Sequence, residues 1–198
     1  MSIVLWATRL EQPLTEAETR FLFLRLPKSR RERLLRVKNR AAWREPLCAY
    51  ALLSYALRQQ EQIGALPTMQ VTEKGKPFFP TVPAVHFNLS HTEGAVLVGV
   101  SEAPVGVDIQ KRRAVTPRTA RRIAAAGLSA EQYVTKWARY EAVSKRKGSG
   151  IAVLPPEQWD SEDAVSLDLF PGYAAAVSGQ GLVLSVHKVS QSVLCRAD

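Results

Sequence analysis

Two carboxylates stand out because their surroundings do not suit them. Asp108 ends the otherwise apolar run Val105-Gly106-Val107-Asp108-Ile109-Gln110. Glu141 sits among aromatic and small residues in Trp137-Ala138-Arg139-Tyr140-Glu141-Ala142-Val143-Ser144-Lys145. Acidic side chains are rarely buried unless paired or bound to a metal, so packing alone accounts for neither. In a strand, Asp108 and Gln110 point to one face, because side chains alternate with period two. On a helix, Glu141 and Lys145 lie one turn apart on one face. A helix packed beside that strand end would bring Asp108 and Glu141 to one hard cation, with Gln110 offering an amide oxygen or orienting a water. Mg²⁺ suits such a divided site: it takes oxygen ligands, keeps several waters, and binds through one or two carboxylates plus substrate phosphates. Each residue alone has a plainer reading. Glu141 with Lys145 is also an ordinary helix pair worth roughly 0.2–0.5 kcal/mol, and Asp108 before Lys111-Arg112-Arg113 is also a strand-end turn residue.

The elements around these residues are legible. Residues 86–89, 95–100 and 105–110 read as three strands, with turns at 92–94 and 102–104. Ser129 opens a helix, Gln132 completes its capping box, and Gly148 and Gly150 end it after Lys147. Upstream, residues 3–7 read as a first strand, and Thr15 with Glu18 as a second capping box. Residues 30–60 read as helical, interrupted near Pro46, with Leu47, Tyr50, Ala51 and Leu57 as the apolar stripe. Residues 67–83 are punctuated by Pro and Gly, and 118–126 form a short helix. The end of the chain echoes its middle: Phe87-Asn88-Leu89, Gly94-Ala95 and Val98-Gly99 return as Leu167-Asp168-Leu169, Gly172-Tyr173-Ala174 and Val177-Ser178-Gly179. Strand, turn and strand recur, which predicts a duplication with a site at the seam.

The 198 residues suffice for one substantial core or two small lobes, and 46% hydrophobic against 23% charged residues reads as globular. No apolar run approaches the roughly 20 residues of a membrane span. Residues 1–10 lack the basic start and apolar stretch of a secretory signal. Cys48 and Cys195 fall outside any metal spacing, so a reducing cytoplasm is expected. The net charge of +9 is clustered in residues 28–44, 111–122 and 136–147, and favours polyanionic partners. Nucleic acid, a phosphorylated ligand or an acidic protein would each satisfy charge alone. No helix-turn-helix, zinc spacing or ribonucleoprotein aromatic pattern supports the first.

Taken in order, the motifs resemble those of the 4′-phosphopantetheinyl transferases, specifically the single-chain surfactin-type branch. Asn88-Leu89-Ser90-His91 matches the family's Asn-x-Ser-His stretch, and Gly106 to Gln110 its Gly-x-Asp-x-Glu strand end. Residues 137–142 match its Trp-x-x-Lys-Glu-Ala helix. Gly75-Lys76-Pro77 and the prolines at 80 and 83 match the approach to the first motif. The resemblance runs from about Arg30 to Ile151. It departs at Gln110, where the family usually has Glu, and at Tyr140, where it usually has Lys. The segment between Asp108 and Glu141 is also shorter than usual.

The resemblance implies an α+β fold of two similar lobes with pseudo-twofold symmetry, each a small antiparallel sheet with packed helices, and an active site at the seam. The lobes would be residues 1–108 and 109–198. It implies transfer of 4′-phosphopantetheine from coenzyme A to a serine of an acidic acyl, polyketide or peptidyl carrier protein, releasing adenosine 3′,5′-bisphosphate. Asp108, Gln110 and Glu141 would hold Mg²⁺, with Mn²⁺ as a substitute. Glu141 and Lys145 would be catalytic. Arg44, Lys76, Ser90, His91 and Lys145 would bind the coenzyme, with Arg40 a rival to Arg44. A cytoplasmic monomer with no membrane or nucleic-acid partner is expected. Arg30, Arg31, Arg112, Arg113 and Lys147 are expected to be solvated surface charges, and Trp137 an aromatic anchor for its helix. A coenzyme-binding pseudoenzyme, raised by Gln110 and Tyr140, and a basic nucleic-acid-binding protein are the alternatives.

Overall fold

The computed structural model describes residues 2–113, 116–150, 158–159, 162–180 and 183–196; Ile151, where the motif resemblance ends, lies outside them. The chain opens with strand β1 (Ser2–Arg9) and helices α1 (Glu16–Arg25) and α2 (Lys28–Leu35), followed by a 3₁₀ turn (Arg40–Trp43) and helix α3 (Arg44–Glu61). A short ribbon, β2 (Gln70–Val71) and β3 (Pro77–Phe78), precedes strands β4 (His86–Thr92), β5 (Ala95–Ser101) and β6 (Val105–Lys111). Helices α4 (Pro117–Ala125) and α5 (Ala130–Lys147) follow, then β7 (Ala164–Leu167), β8 (Tyr173–Gly179), β9 (Val183–Lys188) and helix α6 (Gln191–Leu194). The fold is mixed α+β, as expected.

Both predicted capping boxes form, each with reciprocal bonds between cap and third residue: Thr15 with Glu18 at α1, and Ser129 with Gln132 at α5. Gly148 ends α5 in the left-handed conformation, at φ 62°, which glycine adopts without steric cost. The helical stretch predicted over 30–60 needs correcting. It breaks between Leu35 and Arg40, not near Pro46. Pro46 sits in the first turn of α3, where a missing N–H removes no helix bond. The break is set instead by Asn39, whose side chain accepts the Ala41 N–H and starts the 3₁₀ turn.

Strand alternation decides the layering. Val96, Val98 and Val100 of β5 pack on Leu47, Leu52, Leu53 and Leu57 of α3. On the opposite face, Ala95 and Leu97 join Leu5 of β1 in meeting Val107 and Ile109 of β6 and Val177 of β8. Ala174 and Ala176 of β8 turn the other way, against Ala138 and Ala142 of α5. The result is α3, sheet, sheet, α5. The first sheet has the order β4-β5-β1-β9 and the second β6-β8-β7. The boundary drawn between residues 108 and 109 falls inside β6. Past it, β9 returns to lie parallel to β1 in the first sheet.

The two sheets meet along their edge strands β4 and β6 by an unusual route. Backbone N–H groups of Val107, Ile109 and Lys111 donate to side-chain oxygens of Asn88 (2.8 Å), Ser90 (3.3 Å) and Thr92 (3.3 Å). Every second residue of one edge thus serves every second residue of the other. Helix α5 is drawn equally close to the outer face of β6. A Cβ on Gly106 would overlap the Ala142 carbonyl oxygen and the Arg146 backbone nitrogen, so only glycine fits there.

Gly106→Ala should therefore push α5 off the sheet and cost roughly 3 kcal/mol in urea unfolding, as overpacking does. Gly64→Ala, which meets nothing within 4 Å, is the matched control and should change stability by less than about 0.5 kcal/mol.

Candidate active site

Asp108 and Glu141 come together where α5 crosses β6. Both are buried, at 1% and 8% exposure. The Gln110 amide links them, its Nε2 donating to Asp108 Oδ2 at 2.9 Å and to Glu141 Oε2 at 2.7 Å. Lys145, one turn beyond Glu141, places Nζ 2.6 Å from Asp108 Oδ1 and 3.0 Å from Ser90 Oγ. The predicted face-sharing pairs Asp108 with Gln110 on β6 and Glu141 with Lys145 on α5, and the packing of α5 on β6 brings the two pairs together.

Burial is the first cause that pushes the Glu141 carboxyl up, from 4.5 to about 7, and the negative charge of Asp108 is the second. Lys145 and a hydrogen bond with Trp137 oppose the rise, while a hydrogen bond with Asp108 adds to it. Two carboxylates facing a single ammonium leave one negative charge unbalanced. That imbalance and the two carboxylates fit a hard cation, and a flip of the Gln110 terminal amide would add an oxygen in place of the Nε2 that now faces them. Among the described residues no group of three or more His, Cys, Asp or Glu side chains is placed to hold a metal ion, so protein carboxylates supply at most two ligands at this point.

A cleft of about 710 Å³ opens beside this cluster, with Lys145 reaching into its wall. Lys76 and His91 line it too. Lys76 Nζ donates to the carbonyl oxygens of Arg146 (2.8 Å) and Val105 (3.3 Å), which ties the hairpin to the end of α5. Burial, then the charge of Arg146, holds this ammonium below the ordinary lysine value. Burial likewise lowers His91, so at neutral pH it enters the cleft uncharged.

Arg44 and Arg40 line a cleft that adjoins this one and shares Ala42, Pro46 and His91 with it, and the Arg44 guanidinium is paired with Glu45 at 2.8 Å. Arg40 lies over the Trp43 ring, 5.2 Å from its centroid. The arginines that do line the cleft with Lys145 are Arg30 and Arg33. The expectation that Arg30 is merely a solvated surface charge fails: its Nε is buried without a hydrogen-bond partner, and its guanidinium lies 5.9 Å from the Tyr50 ring. A signal was present. Arg30 and Leu34 stand four apart on α2, on one face of the helix, and Leu34 is buried, whereas Arg33 is exposed.

Tyr140 and Trp137 have packing roles. Tyr140 stacks on Trp159 with centroids 5.8 Å apart, and Trp137 meets Trp159 edge-on at 4.9 Å. Trp137 anchors α5, as expected.

No family model matches the chain. Individual proteins do. It is 25% identical over 156 residues to the 4′-phosphopantetheinyl transferase ffp of Bacillus subtilis, covering 73% of this chain and 70% of that one. It is 23% identical over the same length to the 4′-phosphopantetheinyl transferase Sfp of Bacillus subtilis strain 168, with the same coverage. To the 4′-phosphopantetheinyl transferase psf-1 of Bacillus pumilus it is 35% identical over 107 residues, 44% of each chain.

The raised Glu141 has a consequence for stability. Its contribution is fully present below the unfolded value of 4.5 and is lost as pH rises through about 7. In EDTA, the wild type should lose roughly 3 kcal/mol of unfolding free energy relative to Glu141→Gln across that window, at about 1.4 kcal/mol per tenfold change in proton affinity, in urea titrations at stepped pH.

Proposed function

We propose that this chain, a relative of the 4′-phosphopantetheinyl transferases, transfers 4′-phosphopantetheine from coenzyme A to a serine of an acyl, polyketide or peptidyl carrier protein. The observation that carries this reading is the buried pair Asp108 and Glu141, joined by Gln110 and linked through Lys145 to a cation-lined cleft. The cleft volume of about 710 Å³ lies within the range for cofactor-sized ligands. We read the succession of strand, helices and hairpin, run through once from β1 and again from β6, as the two lobes, with the site at their seam. The same reading carries a monomer acting in the cytoplasm. Among the described residues no helix is long and apolar enough to cross a membrane.

The reaction joins the carrier serine Oγ to the β-phosphorus of the coenzyme and breaks the bond from that phosphorus to the bridging oxygen. Adenosine 3′,5′-bisphosphate leaves with that oxygen. Arg30, Arg33 and Lys145, with His91 and Lys76 beside them, line the volume in which the coenzyme phosphates would lie. Lys145 has three N–H donors and uses two on Asp108 and Ser90, which leaves one for a phosphate oxygen. Its charge opposes the negative charge that grows on the leaving group. Glu141 takes the serine proton. It is the buried carboxylate one turn from Lys145, and it acts directly or through a water. Asp108 and Glu141, with the Gln110 terminal amide flipped to turn its oxygen toward them, would hold Mg²⁺ or Mn²⁺, which would supply further charge neutralisation at the pyrophosphate. The clustered positive charge suits an acidic carrier by long-range attraction.

Incubation with coenzyme A, Mg²⁺ and a panel of apo-carriers, read by intact mass, should show one phosphopantetheine added to at least one carrier. Asp108→Ala and Glu141→Ala should each slow transfer by about 100-fold or more. Coenzyme binding with no mass gain on any carrier would instead identify a coenzyme-binding pseudoenzyme. A second outcome concerns the amide. Gln110→Glu adds a negative charge at the cation, so the Mg²⁺ concentration for half-maximal transfer should fall. An unchanged Mg²⁺ titration would place Gln110 outside the coordination sphere.

A further inference from the structure

The middle rung of the seam between β4 and β6 differs from its neighbours. Ser90 Oγ accepts the Ile109 N–H, as Asn88 accepts that of Val107 and Thr92 that of Lys111. It also donates to Asp108 Oδ1 at 2.8 Å and accepts from Lys145 Nζ at 3.0 Å. A serine hydroxyl has one proton to give and two lone pairs to offer. All three are committed here. Ser90 is buried, at 5% exposure, and it is not among the residues lining the cleft, although Leu89 and His91 on either side of it are.

We infer that Ser90 is a positioning residue, which holds Asp108 and Lys145 in place and does not touch the coenzyme. This departs from the coenzyme contact that the motif resemblance implies for it, while resting on the same transfer reaction. The physical reason is saturation. A phosphate oxygen needs a donor, and the only proton on Ser90 is already held by a buried carboxylate, a charge-assisted bond about twice as strong as a neutral one. Its service to the reaction is indirect. Lys145 ends a long, flexible stem, and two fixed acceptors restrict where its ammonium can lie. One of them, Asp108, is itself fixed by Ser90. The Ile109 N–H in turn fixes the hydroxyl, so the position of the ammonium is tied to the backbone of β6.

The test is a double-variant cycle of Ser90→Ala with Lys145→Met, read in two independent ways. In urea unfolding, the midpoint loss of the double variant should fall short of the sum of the single losses, because the two changes remove one shared bond. In transfer kinetics, Ser90→Ala should lower kcat by about tenfold in the wild-type background, the value of one lost hydrogen bond to a charged group. In the Lys145→Met background its further effect should be less than about twofold. Ser90→Thr keeps the hydroxyl and should restore most of kcat. Thr92→Val removes a rung that lacks the charged partners, and its midpoint loss should add to that of Lys145→Met. Additive midpoint losses for Ser90→Ala with Lys145→Met would overturn the inference, as would the same kcat factor in both backgrounds. Should the wild type transfer nothing, the proposed function fails, and the unfolding cycle still decides whether Ser90 and Lys145 are coupled.

Discussion

The structure depends on how two sheet edges are joined without a backbone ladder. An exposed edge leaves every second N–H and C=O without a partner, and burying such groups unpaired is costly. Here β6 presents the N–H groups of Val107, Ile109 and Lys111 toward β4, and short polar side chains of β4 take them. Asn, Ser and Thr at alternate positions match the two-residue period of the opposite strand. The contact is as regular as a ladder, yet on the β4 side it is made by side-chain atoms and not by backbone. Those atoms can face charged groups as well as amides, and Ser90 does both.

Charge placement follows from that join. The seam carries Asp108 and Gln110 on the face that meets α5, and Gly106 lets the helix backbone come close enough for Glu141 and Lys145 to reach them. A wider gap would admit water and relax the interaction between the two carboxylates. The close packing keeps Glu141 buried and its carboxyl raised to about 7. Stability is therefore given up at this point, and the aromatic packing of Trp137 and Tyr140 on Trp159 holds the helix in position against it. A perturbed carboxyl with a specific charge partner beside a cleft marks this place as a candidate functional site.

Much of this was legible in the sequence where the cause was local. Capping boxes at Thr15 and Ser129, the left-handed end at Gly148 and the alternation along β4, β5 and β6 depend on residues a few positions apart. The pairing of Asp108 with Gln110 and of Glu141 with Lys145 follows from strand and helix periods alone. Where a local signal had two readings, the weaker one sometimes held. Pro46 reads as a helix breaker, but it lies in the first turn of α3, where proline is tolerated. Arg30 reads as surface charge until its spacing with Leu34 is weighed against the burial of that leucine.

What the sequence by itself determined was the identity of the reactive groups and the face each would share with its neighbours in the same element. Tertiary structure alone decided which faces meet. Ser90 and Lys145 are 55 residues apart and Gln110 and Glu141 are 31 apart, and no period of strand or helix relates them. The return of β9 to β1 and the saturation of Ser90 are both of this kind. Local preferences are set by sterics and hydrogen bonding within a turn or a pleat. Long-range pairs are settled only when the apolar faces of α3, the two sheets and α5 close on one another, and burial then fixes which polar groups must satisfy each other.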